Sequence, residues 1–102
     1  MNEDYPELQQ FFAGYFNQDW VDDHKTANDV IDFFISENSM ETINTVLLEL
    51  DKLISTEKSE QELQDYLLYD IGCYYYYPNE WSDGRTWLKY VVSALKKGKA
   101  LQ

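Results

Sequence analysis

Apolar side chains recur at helical spacing in five separate stretches of this chain, and that periodicity narrows the folds open to it more than any other feature. Leu8, Phe11, Phe12 and Tyr15 fall at i, i+3, i+4 and i+7, and Pro6 suits a first helical turn, so a helix is expected from about Pro6 to Phe16. Ala27, Val30, Ile31, Phe34 and Ile35 repeat the stripe behind Thr26 as a cap. The longest stripe runs through Ile43, Val46, Leu47, Leu50, Leu53 and Ile54, behind Ser39. Ser59-Glu60-Gln61-Glu62 reads as a capping box, in which serine and glutamate each satisfy a free backbone N–H of the other's turn. Leu63, Tyr66, Leu67 and Ile71 follow it, with Gly72 as a stop. Trp87, Leu88, Val91 and Leu95 predict a last helix over Asp83 to Lys97, capped by Ser82 and closed by Gly98. Only Cys73-Tyr74-Tyr75-Tyr76-Tyr77 has strand-forming composition. Pro78 ends that run and no second strand exists to pair with it, so it reads as an extended connector. The expectation is an all-α fold: a compact bundle of about five helices, with the Tyr-rich connector before the last, in a single domain over residues 1–102.

Composition excludes several function classes. Nine Tyr, five Phe and three Trp within 44% hydrophobic residues are too many for a disordered chain. Nineteen acidic side chains against eight basic ones give a formal charge of -11, the opposite of what replaces counterions on a phosphate backbone. Binding to nucleic acid or to an anionic membrane is therefore not expected. Residues 1–83 hold all 19 acids with Lys25, Lys52 and Lys58 (net -16), while residues 84–102 hold five bases and no acid (net +5). The terminal lysines suit the negative end of a helix dipole, so the split is read as one domain ending in a basic helix turn. A start of MNEDYPELQQ carries no basic-then-apolar leader, apolar runs are only a few residues long, and Cys73 has no partner for a disulfide. The expected location is the cytoplasm.

A search for chemistry returns little. His24 is the sole histidine, so a histidine-based metal site lacks a second imidazole. Cys73 reads as a small buried apolar residue rather than as half of a Cys–His pair. Gly14, Gly72, Gly84 and Gly98 never cluster into a phosphate-binding loop. Asp19, Asp22 and Asp23 lack the alternation of a calcium loop. Carboxylate pairs carry no signal in a chain with 19 acids. No catalytic residue, metal or cofactor is expected, and the chain is not read as an enzyme.

Three features remain. Tyr15-Phe16-Asn17-Gln18-Asp19-Trp20 ends a helix in polar groups and an indole, as burial of Phe16 and Trp20 with a side-chain-bonded turn would require. Asp19, Asp22, Asp23, Asp29 and Asp32 form an acidic stretch that is either a solvated face or a docking surface for a cationic partner, since Asp29 and Asp32 share a helix face and repel each other there. Tyr74 to Tyr77, followed by Glu80, Trp81, Asp83 and Trp87, send alternate tyrosines inward and outward. Outward Tyr and Trp are the residues that anchor interfaces, with carbohydrate stacking as the competing use.

Tyr5-Pro6-Glu7-Leu8, Phe11-Phe12 and Tyr15-Phe16-Asn17-Gln18-Asp19-Trp20 resemble the opening of the immunity proteins of bacterial contact-dependent growth inhibition (CDI) systems, the CdiI-like family. Ile71-Gly72-Cys73-Tyr74-Tyr75 and Trp87-Leu88 are similar to its closing motifs, so the resemblance spans about residues 5 to 95. It implies a small helical protein that binds the C-terminal toxin domain of a cognate CdiA-type effector, commonly a nuclease and in some cases one that cleaves tRNA. Charge agrees with that implication, because a cleft that holds polyphosphate is cationic and attracts a protein of net charge -11. The contact surface expected on these grounds comprises Asp22, Asp23, Asp29, Asp32, Tyr75, Tyr77, Glu80, Trp81 and Asp83, in a 1:1 complex with a monomer of this chain. The alternatives are a carbohydrate-binding or carboxylate-dependent hydrolytic protein, and a generic acidic adaptor of basic proteins.

Overall fold

The structure, a computed structural model, describes residues 4–101; the first three residues of the acidic start and Gln102 lie outside them. Six α-helices form along the described residues: α1 (Pro6–Tyr15), α2 (Trp20–Asp23), α3 (Ala27–Glu37), α4 (Met40–Ile54), α5 (Glu60–Asp65) and α6 (Gly84–Ala100). The all-α expectation holds, with the five periodic stripes becoming α1, α3, α4, α5 and α6. Their starts follow from local chemistry. Thr26 accepts from the Asp29 N–H and Ser39 from the Thr42 N–H, and Ser59 and Glu62 form both halves of the capping box.

Three boundaries differ from expectation. α2 is an extra single turn where a non-helical loop was expected, because Asn17 Oδ1 accepts from the Asp19 N–H and coils the chain into Trp20. Asp83, rather than Ser82, caps α6, placing its carboxylate three residues before the Thr86 N–H at 2.8 Å. Gly98 lies inside α6 instead of ending it. A Cβ there would run into Ile35 Cδ1, so its missing side chain serves the close crossing of α3 and α6.

Beyond α5 the helix widens into a π-helical turn over Tyr66–Asp70, with the Ile71 N–H bonded to the Tyr66 carbonyl. Gly72 at φ +83° then reverses the chain, and the Cys73 N–H returns to the Leu67 carbonyl at 2.8 Å. The bond spans seven residues, one more than the six-to-one bond of an ordinary glycine-terminated helix end, because the turn before it is π-helical. The Tyr74 N–H donates to the Phe16 carbonyl at 2.8 Å, which ties the connector to the end of α1.

α6 packs against α3, α4 and α5, and α1 packs against α3 and α4. Trp87 sits at the centre, its ring stacked 5.4 Å from Phe12 and lying 4.9 Å from Tyr75 and 5.9 Å from Phe16. Phe11 stacks on Phe34 at 3.9 Å. Each such fully buried ring contributes roughly 1.5–3 kcal/mol of transfer free energy. Carboxylates and one guanidinium join the elements. Glu49 of α4 accepts the Leu8 N–H at 2.8 Å at the start of α1, where a negative charge meets the positive helix end. Arg85 donates to the carbonyls of Ile54 and Thr56, at the negative end of α4.

Candidate functional site

Two hollows open side by side along α6. The smaller, about 200 Å³, is lined by Thr26, Ala27, Asn28, Tyr75, Glu80, Trp81, Trp87 and Tyr90. Its floor is the buried pair Tyr75 and Trp87, and its rim is formed by half-buried Trp81 and Tyr90 with exposed Thr26, Asn28 and Glu80. The larger, about 350 Å³, shares Asn28 and Tyr90 and continues between α3 and α6 past Asp32, Ser93, Lys97 and Leu101. The divider is a hydrogen bond from the Tyr90 hydroxyl to Asn28 Oδ1 at 2.9 Å.

The connector positions the smaller hollow. Trp81 Nε1–H donates to the Tyr75 hydroxyl at 3.2 Å, and that hydroxyl donates to Glu80 Oε1 at 2.6 Å. Burial, reinforced by the Glu80 carboxylate, pushes the Tyr75 phenol well above its ordinary range, so it stays a proton donor and holds Glu80 in place. Tyr77 is arranged in parallel. Its hydroxyl donates to Glu60 at 2.5 Å, and burial followed by the Glu60 carboxylate raises its pKa in the same way. Glu60 also accepts the Gly84 N–H at 3.0 Å, joining connector, α5 and the start of α6.

The expected contact residues divide. Asp22 and Asp23 on α2, and Asp29 and Asp32 on α3, are all exposed, and Asp32 walls the larger hollow. Glu80 and Trp81 stand on the rim of the smaller one. Asp83 caps α6, and the hydrogen bonds it accepts from Thr86 hold its carboxyl below the usual range. Tyr75 and Tyr77 require a correction. They were expected on the outside, but they are 7% and 2% exposed, whereas Tyr74 and Tyr76 are 50% and 57% exposed. The alternation is real and its phase is reversed. Cys73 is buried, so every second residue after it, 75 and 77, must also face the core. The exposed tyrosines instead border a hollow of about 70 Å³ with Leu68 on the α5 side of the connector.

The sequence reading passed over Tyr90, Asn28 and Glu60. Tyr90 carried a usable signal, since it falls three residues after Trp87 on α6, beside the buried stripe. Burial pushes the Cys73 thiol up to about 12, leaving it protonated and unreactive at neutral pH. The His24 ring is half-buried and lies 5.2 Å from Phe33. Among the described residues, no group of three His, Cys, Asp or Glu is placed to hold a metal ion. No helix among them is long and apolar enough to cross a membrane.

Comparison with known proteins gives this geometry a context. The sequence model of the CdiI immunity protein family matches residues 4–95. The chain belongs to the CdiI immunity protein family. Among solved structures, this CdiI family member is similar to a chain in the crystal structure of the CdiA-CT/CdiI complex from Y. kristensenii 33638. The two share 34% identity and a TM-score of 0.86, over 91% of this chain and 99% of that one. No functionally curated protein matches it.

Proposed function

We propose that this CdiI family member binds the C-terminal toxin domain of a cognate CdiA effector and neutralises it as a 1:1 complex, in the cytoplasm of the cell that makes both. The observation that carries this reading is the likeness to the CdiA-CT/CdiI complex, read together with the acidic, aromatic-rimmed face formed by α2, α3 and the segment before α6. The toxin is read as a cationic nuclease, with tRNA-cleaving ribonucleases among the enzymes whose charge fits. Asp22, Asp23, Asp29 and Asp32 attract such a domain over several ångströms and speed encounter. Trp81, half-buried at a hollow, and the exposed Glu80 beside it are suited to retention, which depends on a few anchors more than on area. The inhibitor supplies shape and charge but no chemistry. Each of the two hollows along α6 carries one carboxylate, Asp32 or Glu80, whereas a carboxylate-pair hydrolase requires two around one bond.

The test is inhibition of the cognate CdiA toxin domain. RNA cleavage should fall to nothing at equimolar inhibitor, and a catalytically dead toxin should co-elute with one copy of this chain. A toxin that remains active when saturated with this protein would overturn the proposal. Equal inhibition of unrelated basic nucleases would favour the generic acidic adaptor instead.

A further inference from the structure

We propose that the smaller hollow is a receptor for one cationic side chain of the bound protein, an arginine guanidinium in preference to a lysine ammonium. The inference rests on the reading of the partner as a basic protein and specifies where one of its charges goes. Two aromatic rings, Trp81 and Tyr90, stand 5.0 Å apart at the rim with their planes 37° from each other. Rings at this spacing touch each other, so a cation is drawn to an outer, electron-rich face of the pair, most strongly where water is partly excluded. Glu80 closes the same rim, with one oxygen held by the Tyr75 hydroxyl while Oε2 accepts no hydrogen bond from any described residue.

The hollow has no basic residue of its own. That separates it from the larger one, where Lys97 lines the same cavity as Asp32 and supplies a local countercharge. A planar guanidinium stacks on a ring while donating in-plane to a carboxylate. The Thr26 hydroxyl and Asn28 Oδ1, which line the same hollow, are further oxygen acceptors there. An ammonium makes the ion pair without the stacking. The relay from Trp81 through Tyr75 to Glu80 sets ring and carboxylate in register before anything binds, so little ordering cost remains at association.

Two experimental arms separate a side chain of the toxin from a small free cation. In the first, Glu80→Gln keeps an acceptor for Tyr75 and removes the charge, while Trp81→Leu removes the ring. With the melting temperature as the folding control, each should weaken binding of the catalytically dead cognate toxin about 10- to 100-fold. Replacing the toxin's arginines and lysines by Met, one at a time, should reveal one position that costs a similar factor against the parent protein and nothing further against Glu80→Gln. If the toxin binds tightly and no position couples to Glu80 or Trp81, the cation receptor is overturned while toxin neutralisation stands. In the second arm, N-acetylarginine methylamide and its norleucine counterpart are titrated while the three indole N–H resonances are followed. The arginine probe should move Trp81 selectively, and Glu80→Gln should abolish the movement. This arm decides the matter if the toxin does not bind at all. A selective arginine response would then assign the hollow to a free cation, and an equal response to norleucine, or none to either probe, would overturn it.

Discussion

Helix α6 meets its neighbours in two different ways. Along its first half the connector seals it: Trp87 lies among Phe12, Phe16, Tyr75 and Tyr77, and Glu60 gathers the Tyr77 hydroxyl and the Gly84 N–H into one polar knot. Along its second half, beside the close crossing at Gly98, a cavity of about 350 Å³ opens between α6 and α3, with Asp32 and Lys97 in its walls. Glu60 and Asp32 are both exposed by area, yet one is bonded across three elements and the other faces an open cavity. An acidic count therefore mixes two populations. Glu49, Glu60, Glu62 and Asp83 secure helix ends and junctions, while Asp22, Asp23, Asp29 and Asp32 are exposed on the α2–α3 side.

The contrast is most severely tested by removing the centre of the sealed half. Trp87→Ala should cost about 3–5 kcal/mol, a large part of the total stability of a domain this size, measured by urea denaturation. A loss below about 1 kcal/mol would mean that the seam does not hold the fold. Next, Glu60→Ala should cost about 1.5–3 kcal/mol by stranding a phenol and a backbone donor, with Glu60→Gln recovering part of it. Asp32→Asn should stay within about 0.5 kcal/mol of the parent. Equal losses at the two sites would erase the distinction between the populations.

The exposed population should register in kinetics instead. Replacing Asp22, Asp23, Asp29 and Asp32 together by Asn should slow toxin association roughly 10-fold at low salt and little at high salt, in stopped-flow mixing. The melting temperature should be unchanged or slightly raised. Moderate salt should likewise raise the parent's melting temperature a little, by screening the repulsion within residues 1–83. A lower melting temperature in the fourfold variant would give these acids a structural role.

The smallest effect concerns pH. Hydrogen bonds from Thr86 lower the folded pKa of Asp83, and those from Ser59 lower that of Glu62. Their contribution is thus complete above the unfolded carboxylate values near 4 and is lost as pH falls through the folded ones. Asp83→Asn should lower the melting temperature slightly at neutral pH, with the gap to the parent closing below about pH 4. A gap that widens in acid would contradict the capping role.

Much of the architecture was legible because helices are local objects. A stripe at i, i+3, i+4 and a cap three residues before its donor involve only neighbours in sequence, and so Thr26, Ser39 and the Ser59–Glu62 box were found where expected. Even the tyrosine phase was within reach, since a buried Cys73 commits Tyr75 and Tyr77 to the core. Other features left no local trace. Glu49 bonds a residue 41 positions away, Glu60 one 24 away, and Arg85 carbonyls 29 and 31 away. Nothing in the neighbouring residues distinguishes those side chains from solvated ones.

Sequence alone determined the helical class, most helix boundaries, the apolar faces and the acidic character of the chain, because propensity, capping and charge act over a turn or less. Tertiary structure decided which acids became staples, and that Trp81, Tyr90 and Glu80 would meet around one hollow. Those outcomes depend on how α3, α6 and the connector dock, and docking is set by the shape of the whole core.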